Sequence, residues 1–321
     1  VLAYGSTIVS GSLAFFTNSI LLKKILPSGA ALAEGSHPEA GLLSGYLTVD
    51  MPPIMGVMTA LLMAFIIGIG IAVVEGTTLK NLMNEVQTIV EKIITNIIIP
   101  FLPLYIAGIF ANMTYAGEIV KIMSVFAKVF GIIIILHFVI LLVQYTIAGT
   151  LAGANPLLLI RKMLPAYFTA IGTQSSAATI PVTLNQTKEN GVNEGIADFT
   201  IPLCATIHLS GSTITLVSCS MAVMMLNGMP ITFSGMFGFI LMLGVTMVAA
   251  PGVPGGAVMA ALGLLESMLG FGPELTSLMI ALYLTQDSFG TACNVTGDGA
   301  ISIMVNKIAG FKLIPPTKEK I

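Results

Sequence analysis

The sequence predicts an all-α integral membrane protein, a multi-span chain with two re-entrant helical hairpins and a broken helix. Three observations carry that expectation. First, 55% of the 321 residues are hydrophobic, only 9% are charged and the mean hydropathy is +0.97. A soluble domain carries about 25% charged residues to clothe its surface. Second, Phe199–Leu265 holds no Asp, Glu, Lys or Arg, a run long enough for more than two bilayer crossings of about 20 residues each. Third, two apolar stretches are interrupted by Gly, Pro and Ser where an ordinary span would continue. A soluble enzyme and a secreted disulfide scaffold are excluded. The net charge of −2 offers no basic footprint for nucleic acid. Cys204, Cys219 and Cys293 lie in apolar runs without paired or metal-ligand spacing, and read as small core residues.

The elements follow in order. Residues 1–22 are apolar with scattered Ser, Thr and Gly, then come Lys23-Lys24 and a soft loop to about residue 47. Met51–Val74 is an uncharged span. Glu75–Lys92 is charge-rich, and its Leu82, Val86, Ile89 and Ile93 recur at helical spacing, which predicts an amphipathic lead-in helix. Ile93–Gly117 is the next span, and a longer one runs from Val129 to about Val143.

Arg161-Lys162 and Lys188 then bracket Gly172-Thr173-Gln174-Ser175-Ser176-Ala177-Ala178-Thr179, too polar at its centre for an ordinary helix. With Pro181 just beyond, it predicts two short helices meeting at a turn. A backbone that breaks at membrane depth must line a cavity or be buried in protein, since lipid satisfies no N–H or C=O group. Ala249-Ala250-Pro251-Gly252-Val253-Pro254-Gly255-Gly256 is a second such break. Paired interruptions of this kind point to a transporter binding site; two extramembrane loops are the alternative. Arg161, Lys162, Lys188, Lys307, Lys312, Lys318 and Lys320 would face the cytoplasm, with Lys121 and Lys128 on the other side.

Leu275–Val305 would be a plain span but for Asp287 and Asp298. Eleven residues at 100° each make three turns plus about 20°, so both carboxylates share a face. Thr291 and Asn294 join them, giving a polar stripe down one side of a buried helix. Intramembrane carboxylates are costly and by default mark ion or substrate paths. No Lys or Arg lies between Lys188 and Lys307, so the expected counter-charge is a bound cation. Thr206-Ile207-His208-Leu209-Ser210-Gly211-Ser212-Thr213 is the other polar cluster. Its Gly among Ser and Thr allows local unwinding, which would turn carbonyl oxygens toward a hard cation. His208 itself reads more readily as a hydrogen-bonded core residue than as a ligand; His137 lies in an apolar run and His37 in a loop.

Four ordered motifs now resemble one family: Ser175-Ser176-Ala177-Ala178-Thr179-Ile180-Pro181-Val182-Thr183, Pro202-Leu203-Cys204-Ala205-Thr206-Ile207, Gly252-Val253-Pro254-Gly255 and Asn294-Val295-Thr296-Gly297-Asp298. They occur in the order seen in the dicarboxylate/amino acid:cation symporters, the glutamate-transporter-like proteins. The first 150 residues match in span layout only. The resemblance implies two further helices ahead of residue 1, so the opening Val1-Leu2-Ala3 reads as an incomplete start. It also implies a homotrimer in the plasma membrane, the inner membrane of a bacterium.

On that basis residues 1–158 would be scaffold-type helices, 159–310 the transport core and 311–321 a cytoplasmic tail. Within the core, the first hairpin covers about 163–187, the broken helix 199–225, the second hairpin about 232–270 and the site helix 275–306. The resemblance implies one sodium ion held by Asp298, Asn294 and carbonyls near Cys204 and His208. A second would sit among carbonyls near Thr206, Leu209 and Ala250. The substrate amino group would meet Asp287, and its α-carboxylate Asn294, the Ser175-Ser176 tip and backbone N–H groups. Ser212, Val253, Gly255 and Thr291 complete the implied substrate set. Sodium ions are co-transported ligands here, and no resident cofactor is implied.

Two departures refine the expectation. Acidic-substrate members carry Arg three residues after the first Asp, where this chain has Gly290. A second substrate carboxylate would then be desolvated without a cation partner, at a cost of order several kcal/mol. The site sequence looks closest to the serine/threonine:sodium symporter branch, so the expected substrate is serine, threonine or alanine. An acidic amino acid or C4-dicarboxylate carrier, coupled to sodium or protons, is the alternative. Where many members read Asn-Met-Asp-Gly-Thr, this chain has His208-Leu209-Ser210-Gly211-Ser212. Losing that Asp predicts fewer sodium ions per cycle, and His208 could carry a proton instead.

Two other classes compete. An intramembrane aspartyl protease would place its carboxylates on facing elements, whereas these lie on one helix about 16 Å apart, with Val295 where such enzymes carry Gly. A channel would pass ions without substrate.

Overall fold

A computed structural model describes residues 1–25, 55, 57–74, 76–93, 96–97, 99–115, 119–250, 252 and 254–314. The expected loop to residue 47, His37, Glu75, Pro251 and Val253 lie outside the described residues. Among the described residues the regular structure is all helical. Its helices are α1 (Leu2–Ile25), α2 (Val57–Val74), α3 (Thr77–Ile93), α4 (Ile99–Tyr115), α5 (Ile119–Ala152), α6 (Pro156–Thr173), α7 (Ser176–Glu189), α8 (Glu194–Ile207), α9 (Ser210–Leu226), α10 (Phe233–Thr246), α11 (Gly256–Leu269), α12 (Pro273–Leu284) and α13 (Asp287–Ile308).

Among the described residues three stretches are long and apolar enough to cross a membrane: Leu2–Ile25, Met123–Ala152 and Glu194–Leu226. The outward surface of these helices is apolar, as lipid requires: Ile135 is 63% exposed and Phe138 52%. α3 keeps Leu82, Val86, Ile89 and Ile93 exposed, the amphipathic pattern read from the sequence.

α13 is the central helix. It packs against α5, α6, α7, α8 and α9, and nearly every residue from Asp287 to Met304 is buried. Such crowding demands small residues at the crossings. A Cβ placed on Gly299 would lie 2.7 Å from the Tyr145 hydroxyl and 2.8 Å from Met163 Cε. A Cβ on Gly11 of α1 would lie 2.7 Å from Ile240 of α10. Asn18 of α1 donates to Ser218 of α9 at 2.8 Å, and Tyr4 donates to the Leu241 carbonyl at 3.0 Å. At the open end of the bundle Lys188 pairs with Asp198 at 2.8 Å and Glu194 at 3.0 Å, joining the end of α7 to the start of α8.

The boundaries differ from the sequence expectation in four places. The first hairpin runs over Pro156–Glu189 instead of 163–187, because Asn155 caps α6 through the Leu157 N–H with Pro156 at its first position. The broken helix starts at Glu194, where Asn193 accepts from Gly195 and Ile196. The span expected from Val129 extends over Ile119–Ala152. The site helix expected as one piece over 275–306 is two, α12 and α13, separated at Thr285-Gln286. There the Thr285 hydroxyl and the Gln286 amide both donate to the Leu282 carbonyl, at 2.7 and 3.2 Å, a local competition that interrupts helices.

Candidate functional site

Four chain interruptions converge. The first is the turn between α6 and α7. Gln174 closes α6 in the left-handed region, φ 52°, its N–H on the Ala170 carbonyl at 2.9 Å. A non-glycine residue persists there only when its surroundings hold it. Ser175 then caps α7, its Oγ accepting from the Ala178 N–H at 3.2 Å. The same hydroxyl donates to the Gly252 carbonyl at 2.5 Å, joining the first tip to the second. We expect Ser175→Ala, which removes both bonds at about 1 kcal/mol each, to weaken substrate binding about tenfold or more; binding calorimetry showing wild-type affinity would refute this.

The second interruption lies between α10 and α11. A short 3₁₀ turn, Met247–Ala249, ends α10, and Gly255 opens α11 with φ 75°. A side chain there would be strained, and its Cβ would lie 2.8 Å from Leu284. The Gly255 N–H donates to Asp287 Oδ2 at 2.6 Å. The third is the α12–α13 break, which places Asp287 in the first turn of α13. Thr291 reaches Asp287 Oδ1 at 3.4 Å.

The fourth is the break of the long helix at His208-Leu209. Leu209, in the N-cap position of α9, has no side-chain oxygen with which to cap it. Asn294 does so across the interface, its Oδ1 accepting from Gly211 N–H at 2.7 Å and Ser212 N–H at 3.2 Å. Its Nδ2 donates to Ser212 Oγ at 2.8 Å, which also accepts from the Tyr283 hydroxyl at 2.9 Å.

Between these interruptions lies a cavity of about 20 Å³, roughly the room one water needs. Ser176, Ser212, Asp287, Thr291, Asn294, Leu209 and Ala250 line it. Ser175 and Gly255 adjoin it through their bonds to Gly252 and Asp287. Its described lining contains one carboxylate and neither Lys nor Arg.

The residues expected to hold cations divide. Leu209 and Ala250 line the cavity, whereas Thr206 is exposed with its hydroxyl turned back to the Leu203 carbonyl at 2.8 Å. The Cys204 carbonyl takes the His208 N–H at 2.8 Å. Asp298, farther along α13, has a side-chain partner from the break of the long helix. His208 Nδ1 lies 2.8 Å from Asp298 Oδ1, with both side chains buried. His208 Nε2 in turn meets Ser6 Oγ at 3.0 Å, and Ser6 Oγ accepts from Gln144 Nε2 at 2.8 Å. Among the described residues no three His, Cys, Asp or Glu side chains gather as a metal cluster.

Several residues of this region escape a reading of the sequence alone. Tyr283 stands four before Asp287, so extending the polar stripe back one turn would have found it. Ser6 and Gln144 gave no signal, because nothing local marks a Ser or Gln on an apolar helix as the partner of a distant histidine.

Two helical hairpins touching at their tips, a broken helix and a central helix with two buried carboxylates make the kind of arrangement in which membrane transporters place their binding sites. The sodium:dicarboxylate symporter family matches residues 1–308, and the chain belongs to that family. A serine/threonine transporter of Acinetobacter baumannii (strain SDF) is 30% identical over 244 residues, which cover 74% of this chain and 60% of that protein. Its counterpart from strain AYE is 29% identical over the same length. An excitatory amino acid transporter of Caenorhabditis elegans is 30% identical over 145 residues, 45% of this chain and 29% of that protein. The chain spans about 60% of the length of the Acinetobacter relatives it matches.

Proposed function

We propose that this protein is a secondary transporter that carries a small neutral amino acid (serine, threonine or alanine) together with sodium by alternating access. One observation carries the substrate class: among the described residues the cavity lining offers a single carboxylate, Asp287, and no Lys or Arg. An ammonium group matches Asp287. A single α-carboxylate can be held by N–H and hydroxyl groups of the hairpin tips and by Asn294, at helix ends where the dipole favours an anion. A second carboxylate would have no cation to meet, and burying it so is expensive. Gly290, between Asp287 and Thr291 in sequence, packs against α9, where an added Cβ would face Ser212 N and Thr215 Oγ1 at 3.5–3.6 Å, and it supplies no charge.

Ser175, Ser176, Ser212, Val253, Gly255, Asp287, Thr291 and Asn294 are the proposed substrate residues. Carbonyls near Cys204, Thr206, His208, Leu209 and Ala250, with Asn294 and Asp298, are the proposed route for sodium. The two hairpins re-enter the membrane, the first from the cytoplasmic side, and the 159–310 core moves against the 1–158 helices in a homotrimer of the plasma membrane. The serine/threonine relatives agree with this reading. Its test is uptake by proteoliposomes of labelled serine against labelled aspartate, with and without a sodium gradient. Sodium-driven serine uptake is the expected result; aspartate preferred over serine would sink the substrate assignment.

A further inference from the structure

We infer that the His208 side chain holds Asp298 when no cation is present, and therefore competes with sodium for that carboxylate. The inference rests on the sodium coupling proposed above and adds to it a residue that sets how strongly the cation binds.

Asp298 is 1% exposed and His208 not at all. A carboxylate so placed needs donors or a counter-charge of its own. With no Lys or Arg between Lys188 and Lys307, the fold supplies an imidazole from the helix break instead. Donor and acceptor capacities fix the direction of the chain of bonds. An ionised carboxylate only accepts, so His208 Nδ1 carries the hydrogen toward Asp298 Oδ1 at 2.8 Å. The neutral ring then accepts at Nε2, where the Ser6 hydroxyl donates from 3.0 Å. Ser6 Oγ accepts in its turn from Gln144 Nε2 at 2.8 Å. Gln144 to Ser6 to His208 to Asp298 is thus one unidirectional series, satisfied at each link without any charge on the ring.

The ring is also pinned by shape. A Cβ on Gly297 would lie 2.8 Å from His208 Cε1 and 2.8 Å from Gln144 Oε1, so the imidazole lies against the bare backbone of α13. A cation that takes Asp298 Oδ1 must displace this N–H, and the three helices α1, α5 and α13 that frame the ring oppose its departure. The backbone carbonyl of His208 is untouched by changes in its side chain, so the competing ring can be removed while the carbonyl remains.

The test is a sodium chloride titration of the purified protein at constant ionic strength, with choline chloride as the balancing salt, read by calorimetry or thermal shift. Wild type is compared with His208→Ala and Ser6→Ala. Removing the ring lowers the sodium midpoint about tenfold, the scale of a hydrogen bond to a charged group. Ser6→Ala, which unpins the ring but leaves it in place, lowers the midpoint by a smaller factor, and it keeps the test decisive if the histidine variant fails to fold. Midpoints that stay unchanged or rise in a folded variant overturn the inference while leaving sodium coupling standing. A wild-type protein without any sodium response overturns both.

Discussion

Asp287→Asn should cut serine uptake by at least about thirtyfold without lowering the melting temperature. The two halves of that result have separate causes. Asp287 is 4% exposed and is the one carboxylate on the described cavity wall, so the proposed substrate ammonium depends on its charge. Removing one member of a desolvated, hydrogen-bonded charge pair costs roughly 2–5 kcal/mol of binding. The structural role of Asp287 is different: it accepts the Gly255 N–H at 2.6 Å and so fixes the second tip. An asparagine oxygen can accept that same bond, so the tip should keep its place. A buried carboxylate without a cation partner is itself unfavourable, which is why stability is expected to hold or rise. Uptake assays and thermal denaturation of the purified variant check the two halves together. Uptake within threefold of wild type would remove Asp287 from the substrate site; a large fall in melting temperature would make its role structural.

Gly211→Ala should damage both folding and substrate binding. Gly211 lies where the start of α9 crosses α13. A Cβ there would collide with the Gly290 carbonyl oxygen and stand 2.6 Å from Cys293 Cβ. One of these contacts is backbone in the first turn of the central helix, so no flexible side chain can give way. Overpacking costs about 1–3 kcal/mol, and parting α9 from α13 also lengthens the bonds from Gly211 and Ser212 to Asn294, a cap worth about 1 kcal/mol. Because that cap borders the cavity, affinity should fall with stability. Gly131→Ala on α5 is the control, since a Cβ there meets nothing within 4 Å and alanine is the better helix former. If Gly211→Ala melts and binds like the control, the tight crossing is wrong.

Much of this protein is legible in its sequence, and particular residues show why. Ser175 and Gly255 stand at turns because polar and glycine residues interrupt apolar runs, a local pattern. Asp287, Thr291, Asn294 and Asp298 share a face because helical periodicity is a local rule. Composition alone placed the chain in a membrane, since so few charged residues cannot cover a water-facing surface. These are statements about neighbours in the chain, and local order carries them.

What only the tertiary structure decided are the pairings between distant segments. The sequence left Asp298 without a partner and His208 as an ordinary core histidine. Packing α13 against the α8–α9 break put them 2.8 Å apart, and α1 and α5 then completed the series with Ser6 and Gln144. Asn294, expected on substrate and sodium, is engaged with the start of α9, because a helix that begins at Leu209 has no cap of its own. The division of α12 from α13 at Thr285-Gln286 likewise follows from side chains that found the Leu282 carbonyl. In a buried interior each polar group must find some partner, and which partner it finds depends on how the helices cross. Periodicity along one chain fixes the face on which a residue stands; only packing fixes what that face meets.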